Sequence, residues 1–181
     1  LMAALLAGML LGSCVSTRYV PEGELLLRKV KVDLDNKEIN RDELDSYIRQ
    51  RDNTRILGFL KFHLWLYNLS SPGKEESWLK RAGEPPQVYN EGLAIQSRDQ
   101  ILQYLHNKGY YAGRVSYHSR EQENRRKTDL EYRVTTGEAY AIGSTRHAIG
   151  RPELRRLYEE GYKPRYFREG SRFDLDLLDR E

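Results

Sequence analysis

Two segments of the chain alternate between apolar and polar residues, and each alternation predicts a β-strand with one buried face. In RKVKVDLD (28–35), the apolar positions are Val30, Val32 and Leu34, and charged residues lie between them. In TDLEYRVT (128–135), every second residue from Leu130 onward is apolar or aromatic. We therefore expect both strands to be half-buried and to contribute to one sheet.

A helical pattern follows the first strand. Asn40 can cap a helix, and Glu43 stands three residues later, which is the spacing of a capping box. Leu44, Tyr47 and Ile48 then form an apolar stripe at the helical spacing i, i+3 and i+4. These residues predict a helix that packs one face against the sheet.

A second helix is predicted shortly before the hairpin. Ser97 and Gln100 have capping-box spacing, and apolar residues at 101, 102 and 105 form its stripe. Gly109 is expected to end this helix in the left-handed conformation.

The helix is followed by two extended segments that predict a hairpin. Residues 111–119 are aromatic-rich and extended, and the polar stretch HSREQENRRKT (118–128) is interpreted as the turn. The resulting order of elements is strand, helix, inserted segment, helix, strand, strand.

The inserted segment covers residues 51–86 and is harder to interpret. RILGFLKFHLWLYNL (55–69) is dense in apolar residues without a clean period, which favours a buried helix but leaves a strand pair open. After it, Ser71 can cap a second helix, Pro72 suits its first turn and Gly83 suits its end.

The beginning of the first unit recurs later in the chain. INRDEL (39–44) matches IGRPEL (149–154), which indicates an internal repeat of one supersecondary unit. The second copy is predicted to begin with a strand over 139–147 and a helix over 152–160, and Asp174 can cap a further helix. Because no closing hairpin follows, we expect this second unit to be incomplete.

The first residues differ in kind from the rest. LMAALLAGMLLG is apolar or small throughout and too short to span a bilayer of about 30 Å, so it fits the apolar region of a secretory signal without its basic start. A buried N-terminal helix is disfavoured because the segment has no polar stripe. Residues 11–14 (LGSC) resemble a bacterial lipobox, which makes Cys14 the expected lipid-attachment site. Since Val15 rather than aspartate follows, family analogy implies delivery to the outer membrane.

Composition and motifs point away from catalysis. The net charge is only +3, which does not demand nucleic acid as a partner, and a single cysteine allows no internal disulfide. The four histidines lack metal-ligand spacing, and neither a nucleophile motif nor a phosphate loop is present. The G-x-x-G loop of an RNA-binding KH domain is also absent. We therefore expect no enzyme activity, no cofactor, no metal and no nucleic-acid partner.

This order of elements, repeated behind an export signal, resembles the POTRA domains of the BamA/TamA superfamily of outer-membrane assembly proteins. The resemblance is carried by Gly109-Tyr110, by the strand with Leu130, Tyr132 and Val134, and by the restart over 140–157. The chain looks most similar to the lipoprotein-type TamA-like proteins of Bacteroidetes. This similarity rests on LLGSC before the first strand and on the segments GEPP, LHNKGYYAGRV and FDLDLLDRE. The long insertion departs from the family pattern.

The resemblance implies an α+β fold of tandem POTRA-like β-α-α-β-β units, each a three-stranded mixed sheet covered by two helices on one face. The expected organisation is a lipoprotein signal peptide (1–13), a tether (14–24), a first unit (25–136) with the insertion 51–86, and an incomplete second unit (137–181). We expect a periplasmic location at the outer membrane. The membrane barrel that usually follows such units is absent from this sequence, so this chain alone is not expected to insert proteins.

The implied function is binding rather than catalysis. The strand after Gly109 is expected at a sheet edge, where unfolded outer-membrane protein clients or other envelope assembly proteins can add a strand. The candidate edge residues are Tyr110, Tyr111, Val115, Ser116 and Tyr117, with the N–H of Ser116 expected to face outward. The alternative is that the tyrosines only pack on the hairpin partner.

A second function class stays open. A free-standing periplasmic lipoprotein that binds a partner or polysaccharide would share the anchor and the fold without the barrel. The genomic sequence downstream of Glu181 discriminates between the two, because a barrel appears as alternating segments of about ten residues.

Overall fold

A computed structural model describes residues 17–54, 61–70, 77–122, 125–161, 166–178 and 180. The strands are β1 (Leu26–Leu34), β2 (Arg114–Gln122) and β3 (Lys127–Thr135). The helices are α1 (Arg41–Asp45), α2 (Phe62–Leu69), α3 (Trp78–Ala82), α4 (Glu91–Asn107), α5 (Pro152–Gly161) and α6 (Leu175–Leu178). The predicted order of strand, helix, inserted segment, helix, strand, strand is confirmed.

The three strands form one mixed sheet in the order β1-β3-β2. The middle strand, β3, pairs in parallel with β1 and antiparallel with β2. Helices α1 and α4 cover one face of the sheet, and the core lies between the two layers. Its buried side chains are Leu27, Val32, Ile39, Leu44, Ala94, Ile101, Tyr104, Leu105, Tyr110, Leu130, Tyr132 and Val134. The predicted α+β class with a three-stranded mixed sheet is confirmed.

The two core helices differ in how well the sequence located their starts. Asn40 caps α1 as predicted, because its side chain accepts hydrogen bonds from the main-chain N–H groups of Asp42 and Glu43. The capping box at Ser97 was wrong: α4 begins earlier, with Asn90 as its cap. Ser97 lies inside α4, where it is buried and donates to the carbonyl of Leu93 at 2.7 Å. Its hydroxyl is used within the helix and therefore cannot mark the helix start.

Helix α4 ends at Asn107, and Gly109, two residues later, has the predicted left-handed conformation with φ of +86°. The N–H of Tyr110 donates to the carbonyl of Leu105, and the N–H of Gly109 donates to that of His106. This pair of hydrogen bonds is the Schellman motif, which satisfies carbonyls that the helix leaves without partners. It also turns the chain abruptly towards β2.

The hairpin is confirmed, but its boundaries differ from the prediction. Strand β2 begins at Arg114 rather than at residue 111, and it continues to Gln122. The stretch interpreted as a polar turn therefore contributes its first five residues, 118–122, to the strand. These residues are polar because this end of the strand is largely exposed to solvent.

The insertion forms a helix pair. Helix α2 packs Leu64 into a small core with Val20 and Leu26, which supports the helical interpretation over the strand pair. Helix α3 ends at Gly83, as predicted, and a Cβ at Gly83 would lie 2.6 Å from the main-chain nitrogen of Tyr67. Only glycine permits this close approach of the two helices. The proposed cap at Ser71 and Pro72 lies outside the described residues.

The segment after β3 docks on the end of α4. Its predicted helix is present as α5, whereas the strand expected over 139–147 is reduced to a single bridge between Ala141 and Arg172. Its main-chain hydrogen bonds within the described residues go to the short stretch 170–173 and to Gly109, whose carbonyl accepts from the N–H of Tyr140 at 2.8 Å. Asp174 precedes α6 and accepts from the N–H of Asp176 at 3.0 Å, as expected of a cap.

One lysine joins this segment to the first unit. The Lys108 ammonium lies 2.6 Å from the Asp176 carboxylate and 3.5 Å from those of Asp174 and Glu43. Burial disfavours the charged form of Lys108, but these carboxylates outweigh that effect and raise its pKa. The lysine is therefore held charged at the junction.

Cys14, the predicted signal peptide and the first residues of the predicted tether lie outside the described residues. Within the part of the chain that the structure describes, no helix is long and apolar enough to cross a bilayer.

We expect Gly109→Ala to destabilise the fold more than Gly23→Ala. Both glycines have positive φ, which costs a non-glycine residue about 1–2 kcal/mol. A Cβ at Gly109 would also lie 2.4 Å from the carbonyl oxygen of Phe173, whereas Gly23 has nothing within 4 Å. Urea unfolding of both variants measures the difference in the free energy of unfolding. Equal losses of this free energy would show that the docked segment does not contact Gly109 closely.

Candidate binding edge of the sheet

The direction of the main-chain groups in β3 can be read from its contacts with β1. The carbonyl of Val134 accepts from the N–H of Asp35 at 3.3 Å, and the carbonyl of Arg126 accepts from the N–H of Leu26 at 2.9 Å. Main-chain groups of successive strand residues point to alternate sides. The main-chain N–H and C=O groups of even-numbered residues in β3 therefore point towards β1, and those of odd-numbered residues point towards β2.

This alternation fixes the outward groups of β2. Ser116 is opposite Arg133 and His118 is opposite Glu131, both odd-numbered positions of β3. In an antiparallel ladder, such pairs exchange both of their hydrogen bonds, so the N–H groups of Ser116 and His118 point inward. The groups that point away from the sheet belong to Val115, Tyr117, Ser119 and Glu121. The expectation that Ser116 presents an outward N–H was therefore wrong by one residue.

The outer edge of β2 is open within the described residues. No hydrogen bond beyond the ladder involves the main chain of its four outward residues there. The edge of β1 differs, because neighbouring segments and side chains cover it. Leu27 donates to the carbonyl of Gln87, and Tyr89 donates to the carbonyl of Leu25.

Farther along β1, side chains rather than main-chain segments cover the outer edge of the strand. The N–H of Val30 donates to Asp52 Oδ1 at 3.3 Å, and Arg41 Nη2 donates to the carbonyl of Val32 at 2.6 Å. The sheet thus has one closed edge and one open edge, and the open edge is the one that can accept another strand.

Side chains of the outward residues hold β2 against the helices. Val115 and Tyr117 are half-buried and pack on the core. The Tyr117 hydroxyl donates to Glu91 Oε1 at 3.2 Å, and its ring lies 6.5 Å from that of Tyr132. Desolvation raises the pKa of Tyr117, and the Glu91 carboxylate raises it further. Tyr117 therefore stays neutral at physiological pH and anchors the edge strand to α4.

The remaining two candidates, Tyr110 and Tyr111, lie before β2 in the turn that leaves α4. Tyr110 is buried in the core, and its carbonyl accepts from the N–H of Gly113 at 3.0 Å. Tyr111 is exposed and lies 5.6 Å from the His106 ring and 5.2 Å from the Tyr140 ring. Neither residue belongs to the edge strand, so the structure groups only Val115, Ser116 and Tyr117 there.

The sheet face opposite the helices carries paired charges. Lys31 lies opposite Glu131 with 3.2 Å between Nζ and Oε1, and this contact lowers the pKa of Glu131. The adjacent Arg133 is 4.0 Å from Asp33. Charge on this face is thus largely matched between neighbouring strands. Within the described ranges, no group of acidic, histidine and cysteine residues is arranged to hold a metal ion.

The described chain thus forms a small α+β module, in which two helices back a three-stranded sheet and one sheet edge is left open. The POTRA family model, described as "Surface antigen variable number repeat", matches residues 26–137, and this range contains all three strands. Because the match covers more than half of the chain, the chain belongs to the POTRA family.

Among solved structures, the chain is similar to the crystal structure of Haemophilus influenzae BamA POTRA3-5. The match covers 89% of this chain and 85% of that chain, with 12% sequence identity and a TM-score of 0.32. No curated protein matches the chain significantly.

Amide hydrogen exchange should show a period of two along β2. We expect the inward N–H groups of Ser116 and His118 to be protected, because they donate to β3. Those of Tyr117 and Ser119 should exchange much faster, since they face solvent. Residue-resolved exchange measured by NMR tests this pattern, and slow exchange at Tyr117 with fast exchange at Ser116 would invert the assignment of the edge.

Proposed function

We propose that this chain is a periplasmic POTRA scaffold of an outer-membrane protein assembly or translocation factor, and that it holds extended polypeptides by strand addition along β2. Family membership supports the scaffold role. The observation that carries the binding mode is the row of outward main-chain groups at Val115, Tyr117, Ser119 and Glu121 beside a closed edge at β1.

Strand addition suits a module that must handle many clients. Main-chain hydrogen bonds are indifferent to side-chain identity, so an edge strand accepts any extended segment that can pair with it. Each such bond contributes about 0.5–1.5 kcal/mol net, and the client loses conformational freedom when it is ordered. A short client strand is therefore bound weakly and released easily, as passage to a membrane requires.

The open edge is exposed but firmly built. Ser116, His118 and Arg120 are solvent-exposed between outward positions, while Val115 and Tyr117 fix the strand to the core. A client strand would thus meet a rigid template, which limits the entropy cost of binding on the side of the protein. Val115, Tyr117, Ser119 and Glu121 contribute main-chain groups in this proposal, whereas Tyr110 supports the strand from within the core.

The partners follow from this scaffold role. We infer that the clients are unfolded outer-membrane proteins, that other envelope assembly proteins can use the same edge, and that lipid on Cys14 holds the chain at the periplasmic face of the outer membrane. A downstream barrel would complete a TamA-like assembly factor. No catalytic residue, cofactor or metal takes part in this mechanism.

The decisive test is a proline at an outward position. Ser119→Pro should weaken binding of a synthetic peptide with alternating apolar and polar residues by about tenfold, because the proline removes one donor and its ring obstructs the added strand. Ser119→Ala keeps the N–H and should bind as the unchanged protein does. Fluorescence anisotropy of the labelled peptide measures both affinities, and circular dichroism checks the fold.

Ser116→Pro provides the opposite case. Its N–H donates to β3, so this variant should lower the free energy of unfolding rather than act selectively on binding. If Ser119→Pro binds the peptide with unchanged affinity while remaining folded, strand addition at β2 is wrong.

A further inference from the structure

Helix α2 of the insertion carries an outward stripe of large apolar side chains. Phe62, Trp65 and Leu69 are 45%, 46% and 45% exposed, although each would be expected in a core. Their spacing of three and four residues places them on one helix face, and the Phe62 and Trp65 rings are 5.6 Å apart. Contiguous exposed apolar groups of this kind mark an interaction surface.

The stripe is held rigidly because the other side of α2 is packed. Leu64 is buried against Val20 and Leu26, so the helix is fixed to the start of β1. The carbonyl of His63 accepts from the N–H of Glu84 at 3.1 Å, which fastens the segment after α3 to the same helix. Burial of the inner face therefore fixes the position of the outer face, whose apolar side chains stay partly exposed to solvent.

The chemistry around the stripe fits a phospholipid surface. Neither α2 nor α3 contains an acidic residue, and α3 carries Lys80 and Arg81. Two acidic residues of the described chain nearby have partners, since Asp52 pairs with Lys61 at 3.3 Å and Glu84 accepts from the N–H of Thr54. Tryptophan, phenylalanine and leucine are the residues that interfacial helices bury in a bilayer, and the lysine and arginine of the neighbouring helix α3 favour anionic headgroups.

The position of α2 in the chain also brings it close to the expected lipid-attachment site. The Tyr19 hydroxyl donates to the carbonyl of Ser70 at 2.6 Å, and Arg18 donates to the carbonyl of Asn68 at 3.3 Å. Residues 17–20 are therefore fastened to the end of α2. Cys14 stands three residues before Thr17 in the sequence, a stretch that spans at most about 10 Å when extended.

We propose that the stripe of Phe62, Trp65 and Leu69 lies against the phospholipid bilayer to which the chain is anchored, and that it orients the first POTRA unit on the membrane. This inference rests on the membrane anchoring included in the proposed function. It does not depend on strand addition at β2, so the two can fail separately. A lipid anchor at one end of the chain restricts the distance from the membrane but leaves the orientation free, whereas a second contact also sets the orientation.

The distribution of tryptophan makes the proposal directly measurable. The chain has two tryptophans, Trp65 and Trp78, and both lie in the insertion. In the full chain with Trp78→Phe, Trp65 becomes the sole reporter. The protein is reconstituted into vesicles of phosphatidylethanolamine and phosphatidylglycerol, and its emission is compared in the same vesicles made with acyl-brominated lipid. We expect a blue shift, quenching by the brominated lipid, and reduced quenching by aqueous iodide.

Two double variants in this background distinguish specific contact through α2 from non-specific adsorption of exposed apolar residues. Phe62→Ser with Leu69→Ser removes two apolar anchors and should shift the equilibrium from the membrane-contacting to the lifted orientation by about tenfold, with loss of the quenching. Leu154→Ser with Leu157→Ser changes two leucines of α5 that are also highly exposed, and it should leave the quenching unchanged.

Absence of quenching by brominated lipid overturns the inference, whether or not the protein floats with the vesicles. Equal loss of quenching in both double variants also overturns it, because the contact would then not be specific to α2. A concentration-dependent blue shift without vesicles would instead assign the stripe to contact between two copies of the chain.

Discussion

The fold depends on β3, because this strand pairs on both sides and carries the centre of the core. Its register with β1 is parallel and its register with β2 is antiparallel. Leu130, Tyr132 and Val134 are buried, so each turns its side chain to the helices while its main chain is used by the ladders. The parallel pairing joins segments about a hundred residues apart in the chain. Helices and insertion must therefore be accommodated between β1 and the hairpin.

The functional asymmetry of the sheet follows from this arrangement. The chain between β1 and the hairpin returns along β1 and supplies its cover through Gln87, Asp52 and Arg41. In the described part of the chain, no segment covers the outer edge of β2 in this way. A short turn joins β2 directly to β3, so no chain between these two strands is available to cover that edge. Natural proteins usually protect exposed strand edges, and this contrast between the two edges supports the binding role that we propose for β2.

The two surfaces that we assign lie at opposite edges of the sheet. Helix α2 packs through Leu64 against Leu26 of β1, whereas the open edge is on β2. Contact of α2 with a bilayer would therefore leave β2 free for clients. Lys108 and Gly109 hold the following segment on the end of α4, close to where β2 begins. A bound strand would thus lie near the junction with the segment that follows β3.

The sequence by itself determined the class of the fold, the order of its elements and the glycine that ends α4. These features depend on the spacing of apolar residues and on the residue types at turns, both of which are set by residues close together in the sequence. The start of α4 was misplaced because Ser97, which looks like a cap, is used inside the helix. Only the tertiary structure decided which β2 groups face outward, because the direction of an N–H depends on its pairing with β3. The sequence also did not predict the exposed stripe on α2, since an apolar run does not reveal which of its faces the rest of the chain will cover.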